Sequence, residues 1–237
     1  MDNLAIKLYK SIHDDNKPRV FEHWHASSIG ECPRAHYFKR LGIKPLTTPT
    51  ASKMLRWQAG HIIEEVIRPH LLKLYPDLTS NVRLTSEKLD LTGEYDNYSE
   101  KEKTIFEIKS VSGFAFKKHN GTVHLRGLKP YLGHEYQNHA YVELLREIKK
   151  PVENIVYIYI SLDGLIVAYP TKVNPNITKA IHKRLGILEE ALKGVIPECL
   201  CDSEHPLWDS VMRWCDYQTP DGDCCDINLI KENKDGE

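Results

Sequence analysis

The sequence predicts an α/β sandwich around a mixed β-sheet. The order of signals along its 237 residues is helix, three strands, helix, two strands, helix. A sustained three-to-four apolar period over residues 52–75 marks one long helix. Asp163-Gly164 between two apolar runs marks a hairpin. Hydrophobic residues are 41% of the chain, enough to fill a sizeable core, and the 27% of charged residues is ordinary for a globular protein.

Taken in order, residues 1–25 read as an N-terminal extension with a short helical opening around residues 4–12, then a polar linker. Residues 26–196 form the expected core. Ser27 or Ser28 offers an N-cap, Pro33 suits a first helical turn and Gly42 a C-terminus, so Cys32 lies near the start of a short helix beside Arg34. In the long helix Leu55, Ala59, Ile62, Ile63, Val66, Ile67 and Leu71 form the apolar stripe, with His61 mid-helix and Pro69 expected to kink or divide it. Strands follow at 81–85, 88–95 and 104–111. Residues 112–132 read as irregular. A helix over 134–149, strands at 154–161 and 165–169, and a helix over 176–193 complete the core. Residues 197–228 form a cysteine-bearing segment expected to fold back on the N-terminal helix, and 229–237 a flexible tail.

The chemistry concentrates in residues 93–110. Asp96 is expected to end one strand, and a loop over 97–103 would bring it beside Glu107 on the next. Glu107 and Lys109, two apart, project from one face, while Phe106 and Ile108 point to the core. Two carboxylates and an ammonium suit a metal-dependent phosphodiesterase: the carboxylates hold a hard divalent cation, and the lysine orients or helps deprotonate the attacking water. Taken alone, a Glu-x-Lys strand is more often a solvated ion pair of little energetic consequence.

Between residues 114 and 129, Phe114, Phe116, Lys117, Lys118, His119, His124, Arg126 and Lys129 interleave rings with charges. That composition suits a strand-guiding surface and equally a solvated loop. Gln137 and Tyr141, four apart, share a helix face. The net charge of −1 carries no global signature of nucleic-acid binding. No apolar run is long enough for a membrane span, and the N-terminus lacks the apolar core of a secretory signal, so a cytoplasmic location is expected. Five of the six cysteines crowd into the last fifth of the chain, with Cys32 apart from them. In a reducing compartment that clustering favours metal ligation over disulfides.

Together these motifs resemble the PD-(D/E)xK nuclease superfamily, in particular its RecB-like branch and the CRISPR-associated exonucleases with a cysteine-bound cluster. Ser27 or Ser28 with Cys32 and Arg34 match its opening helix. Gly60, His61, Glu64 and Glu65 match the next, Gly93 and Asp96 its Gly-x-x-Asp, Glu107 and Lys109 its Glu-x-Lys, and Gln137 and Tyr141 its Gln-x-x-x-Tyr. The resemblance implies a restriction-endonuclease-like core with a mixed central sheet flanked by helices, plus a C-terminal cysteine-bearing segment. It implies Mg²⁺ or Mn²⁺ held by Asp96, Glu107, the carbonyl of Ile108 and His61, with Lys109 on the nucleophilic water. Gln137, Tyr141, Lys117 and Lys118 would contact substrate. Cys32, Cys201, Cys215 and Cys224, with Cys199 and Cys225 as substitutes, would hold a four-iron cluster or a structural Zn²⁺. The implied activity is a DNA exonuclease working on single strands or DNA ends, with a homo-oligomer or a recombination or repair partner compatible with it. A nucleic-acid-binding or assembly module with a silent or partner-dependent site is the alternative.

Overall fold

The computed structural model describes residues 4, 7, 11, 21–47, 49–119, 122–127, 129–199 and 215–217. Cys201, Cys224 and Cys225 lie outside the described residues, as does the side chain of Lys118. The chain divides into two compact units, residues 1–22, 31–61 and 187–237, and residues 23–30 and 62–186.

In the first unit, α1 (Pro33–Arg40) begins with proline in its first turn, where the missing N–H costs nothing. It stops at Gly42, whose φ of +69° an L side chain would resist. The expected serine caps are corrected here. Ser27 and Ser28 lie in a separate 3-10 turn, Ala26–Ser28, and the residue at the N-cap of α1 is Cys32, with no side-chain cap bond. Several late residues lie against α1 and its exit. Arg34 Nε donates to the Pro197 carbonyl at 2.8 Å, and the Tyr217 hydroxyl donates to that of Ile43 at 2.9 Å. The Tyr217 ring meets Phe38 edge-on at 5.3 Å. The Lys39 ammonium lies 2.7 and 2.5 Å from the two carboxylate oxygens of Glu31.

The second unit contains a six-stranded mixed sheet. Its strands are β1 (Trp24–His25), β2 (Thr79–Ser86), β3 (Leu91–Ser99), β4 (Thr104–Ser110), β7 (Asn154–Ile160) and β8 (Ile166–Lys172). A separate hairpin, β5 (Phe116–His119) and β6 (Thr122–Leu125), and the helix α3 (Leu132–Glu147) lie between β4 and β7. β4 and β7 are parallel, as are β1 and β3, whereas β2–β3, β3–β4 and β7–β8 are antiparallel. The helix α2 (Ala51–Leu74) begins in the first unit and continues unbroken through Pro69 into the second. Its later turns present Ile63, Ile67 and Leu71, with Tyr75 just beyond, to Phe106, Ile108, Ile158 and Ile160 on one sheet face. Removing these apolar side chains from water is the main stabilising term of this layer. The last helix is α4 (Pro175–Leu192).

Two expectations are corrected. β3 does not end at Asp96: pairing with β2 as far as Thr79↔Tyr98 carries it to Ser99. The turn is confined to residues 100–103, closed by Lys103 N–H donating to the Glu100 carbonyl at 3.2 Å with Lys103 at φ +47°. Residues 112–132 are not wholly irregular either. Phe116 opposes Leu125 and both are buried, so β5–β6 has an apolar face that local composition concealed. Among the described residues, no helix is long and apolar enough to cross a membrane.

Candidate active site

The site grows out of a fork in the sheet. β2 covers one edge of β3 along its length, while β1 and β4 share the other edge at its two ends. β1 pairs at Leu91 and Thr92, and β4 pairs only at Asn97, Tyr98 and Ser99. Among the described residues, no strand pairs with residues 93–96 on that side. Asp96 stands at the crotch, and its Oδ2 accepts the Ile108 N–H of β4 at 2.8 Å. A strand residue directs its N–H and C=O to the same edge, so the Ile108 carbonyl also faces the fork.

Glu107 follows the last β3–β4 pair and is wholly buried. Neither of its carboxylate oxygens has a hydrogen bond of acceptable geometry, although the Lys109 ammonium lies 2.5 Å from Oε1. Burial pushes Glu107 up to about 8, the Asp96 charge adds to the shift, Lys109 opposes it, and the Glu64 charge raises it further. For Lys109, burial works against the charged form, but Glu107 and Asp96 outweigh it and hold the ammonium protonated. The fork thus contains an electrostatic deficit, a dry carboxyl group beside a second carboxylate with too little positive charge to balance both. That is the environment that favours a divalent cation.

α3 closes the Glu107 face. Gln137 Nε2 donates to the Tyr141 hydroxyl at 2.7 Å, and Tyr141 is buried, with burial and the Glu107 charge raising its hydroxyl well above the ordinary range. This close approach requires Gly93. A Cβ there would lie 2.7 Å from the Tyr141 ring and 2.7 Å from the Ala26 Cβ, distances that real side chains do not tolerate. Gly93→Ala is therefore expected to displace Tyr141 and to cost about 1–3 kcal/mol by overpacking. Thermal unfolding checks it, and a variant as stable as the parent would refute the packing claim.

Three features were not foreseen. Tyr157, opposite Glu107 in the β4–β7 register, is buried with its hydroxyl unsatisfied. Tyr159, opposite Lys109, receives the Tyr131 N–H at 3.1 Å and stands 3.0 Å from His134 Nδ1. His134 is pushed down to about 3, first by burial and then by the Lys109 charge, so it stays neutral beside the fork. The alternation in Tyr157-Ile158-Tyr159 was the available signal, but it became informative only once β7 was known to flank β4.

The remaining candidates are placed as follows. His61 is exposed on α2, at the last residue that the first unit contributes to that helix. Lys117 is exposed on β5 opposite His124. Cys32 and Cys199 bring their sulfurs to 3.7 Å, and Cys215 lies near enough to Lys39 for its charge to act there. Among the described residues, no three of the His, Cys, Asp and Glu side chains converge to cage a cation unaided. Magnesium does not require that, since it is commonly held by one or two carboxylates, water and substrate phosphate. Asp96, Glu107 with its orphaned oxygens, and the Ile108 carbonyl fit such an ion.

Comparison with solved structures identifies the fold. The chain aligns with an alkaline exonuclease, LHK-Exo, from Laribacter hongkongensis at 11% identity, over 79% of this chain and 94% of that one, with a TM-score of 0.54. The complex of LHK-Exo with dAMP aligns at 9% identity over 74% and 90% of the respective chains, TM-score 0.50. The protein SSO0001 aligns at 17% identity over 87% and 97%, TM-score 0.50. No family model and no curated protein matches the sequence. The fold is the restriction-endonuclease-like α/β architecture, a mixed central sheet flanked by helices, shared with this alkaline exonuclease.

Proposed function

We propose that this protein is a divalent-metal-dependent deoxyribonuclease, an exonuclease that hydrolyses phosphodiesters at DNA ends or on single strands. The observation that carries the reading is Glu107, wholly buried beside Asp96 in a sheet fork, with Lys109 as its ion-pair partner and no hydrogen bond of good geometry. Two carboxylates sharing one buried ammonium are costly unless a further positive charge balances them. The preference for exonuclease action is supported only by likeness to a fold whose solved members include an alkaline exonuclease.

When bound at Asp96, Glu107 and the Ile108 carbonyl, Mg²⁺ or Mn²⁺ would supply Lewis-acid polarisation of the phosphate and a lowered pKa for water. Glu64, whose charge already acts on Glu107, is the further ligand this reading would recruit. Asp96 is fixed at the fork by the Ile108 N–H on its Oδ2, and its Oδ1 would be the oxygen to hold the cation. Lys109 remains an ammonium, so its part is to orient the attacking water and to counter charge developing on the phosphate. Gln137 orients the Tyr141 hydroxyl over the same face, where it positions the substrate strand.

The test is incubation of the protein with DNA labelled at either end, single- and double-stranded, in Mg²⁺, Mn²⁺ or EDTA. Metal-dependent release of mononucleotides or very short products from one end is expected. Internal cuts would make it an endonuclease on the same chemistry, and intact DNA in every metal would overturn the reading.

A second, structural metal belongs to the same proposal. The 3.7 Å between the Cys32 and Cys199 sulfurs is far beyond a disulfide bond of about 2.05 Å. It is close to the edge of about 3.8 Å expected for thiolates arranged tetrahedrally around one zinc at about 2.3 Å. In a four-iron cluster each thiolate caps its own iron and the sulfurs stand further apart. Purified protein is expected to contain about one zinc per chain, with Cys32→Ala and Cys199→Ala both losing it and melting several degrees lower. Elemental analysis decides this: iron with broad visible absorbance would contradict zinc, and unchanged metal content in both variants would dismiss the pair.

A further inference from the structure

We propose that Phe114 is a base-stacking residue for a single-stranded nucleic acid, presented just beyond the fork. This rests on the nuclease reading only for where the strand is cut. Phe114 is 84% exposed, whereas Phe116 two residues later is 5% exposed, so the same loop buries one ring and holds the other in water. A single exposed apolar side chain is ordinary, but the setting of this one is not. Its backbone is pinned: Ala115 N–H donates to the Ser112 carbonyl at 2.9 Å, Arg126 N–H to the Ala115 carbonyl at 2.8 Å, and Arg126 Nε–H to the carbonyl of Phe114 itself. The ring is thus carried on a fixed support, which reduces the entropy lost when a ligand orders it.

Its surroundings select the ligand. The adjoining Gly113 lies against Asp163, since a Cβ on Gly113 would come 2.2 Å from Asp163 Oδ2. This brings up the turn that carries Leu162, 77% exposed. The exposed cations Lys117 and Arg126 come from the hairpin that follows Phe114. One exposed ring flanked by two exposed cations suits unpaired bases on a phosphate chain. Phe114 lies five positions beyond Lys109, so the two backbones are at most about 18 Å apart, or roughly five nucleotide rises. A base on Phe114 would therefore lie a few nucleotides from the phosphate in the fork, and stacking there would hold the strand unpaired as it enters or leaves.

The test is equilibrium binding of a fluorescein-labelled oligothymidylate, followed by anisotropy in EDTA so that nothing is cut, beside an equally long strand of abasic residues. Phe114→Ala is expected to weaken oligothymidylate binding roughly 5- to 100-fold, with little change in salt dependence and little effect on the abasic strand. Phe114→Trp should bind like the parent, its new emission quenched by oligothymidylate. Equal losses on both strands would mean that the ring only supports the loop, and unchanged binding by Phe114→Ala, or no binding by the parent, would overturn the proposal. If the base-dependent loss is seen while the protein cleaves no DNA, the stacking site stands and the nuclease reading falls.

Discussion

Lys109→Met is expected to lower DNA cleavage by about 10²- to 10⁴-fold, the range for removing a group that orients or transfers protons in a transition state. Metal affinity should persist, because Asp96 and Glu107 remain. The charge balance gives this prediction its direction. With the ammonium gone, nothing in the trio offsets two carboxylates, and a divalent cation should bind at least as well as before. A Lys109→Arg variant keeps the charge but spreads it over a planar fork, and should recover little of the rate, since position matters as well as sign. Titration calorimetry with Mn²⁺ beside single-turnover rates separates the two effects. Equal losses of binding and rate would mean that Lys109 supports the fold of the fork and has no role of its own in the reaction.

Glu107→Gln should abolish cleavage and, without metal, stabilise the protein. Burial disfavours the ionised carboxyl, and an amide of the same shape carries no charge to bury, so the gain appears as pH approaches about 8. The effect has a pH signature. Because burial pushes Glu107 up to about 8, the folded, metal-free protein keeps a proton that the unfolded chain releases near 4.5. That contribution to stability is complete below about 4.5 and is lost as pH rises towards about 8. Glu107→Gln removes the slope over this window, and Mg²⁺ should raise the melting temperature of the parent but not of the variant. Thermal melts at several pH values with and without Mg²⁺ check all three, and a variant less stable than the parent at pH 8 would contradict the account of a group held at a cost for function.

Much of this was legible because it depends on short-range periods. The two-residue period of a strand separates Glu107 and Lys109 from Phe106 and Ile108, and the structure packs the latter pair under α2. The three-to-four period located α2 to within a residue at each end. What was hidden depends on partners distant in sequence. β3 outruns Asp96 because β2 pairs with it, and β5–β6 has a buried face because Phe116 meets Leu125, which lies in turn against β8 through the Tyr169 hydroxyl on its N–H at 2.9 Å. The fork itself was half legible. Sequence brought Asp96 beside Glu107 through a loop, whereas the chain does so by parting two strands and tying Asp96 to the Ile108 amide. Tyr157 and Tyr159 read as core strand residues until the β4–β7 register set them beside Glu107 and Lys109.

The central claim is that the fork between β3 and β4 is a divalent-cation site, and the most direct test is anomalous diffraction from crystals soaked in Mn²⁺. The account predicts one strong peak between Asp96 and Glu107, with their oxygens and the Ile108 carbonyl at about 2.1–2.2 Å from it, absent from Glu107→Gln crystals. An empty fork, in protein that cleaves DNA with Mn²⁺ in solution, would contradict it.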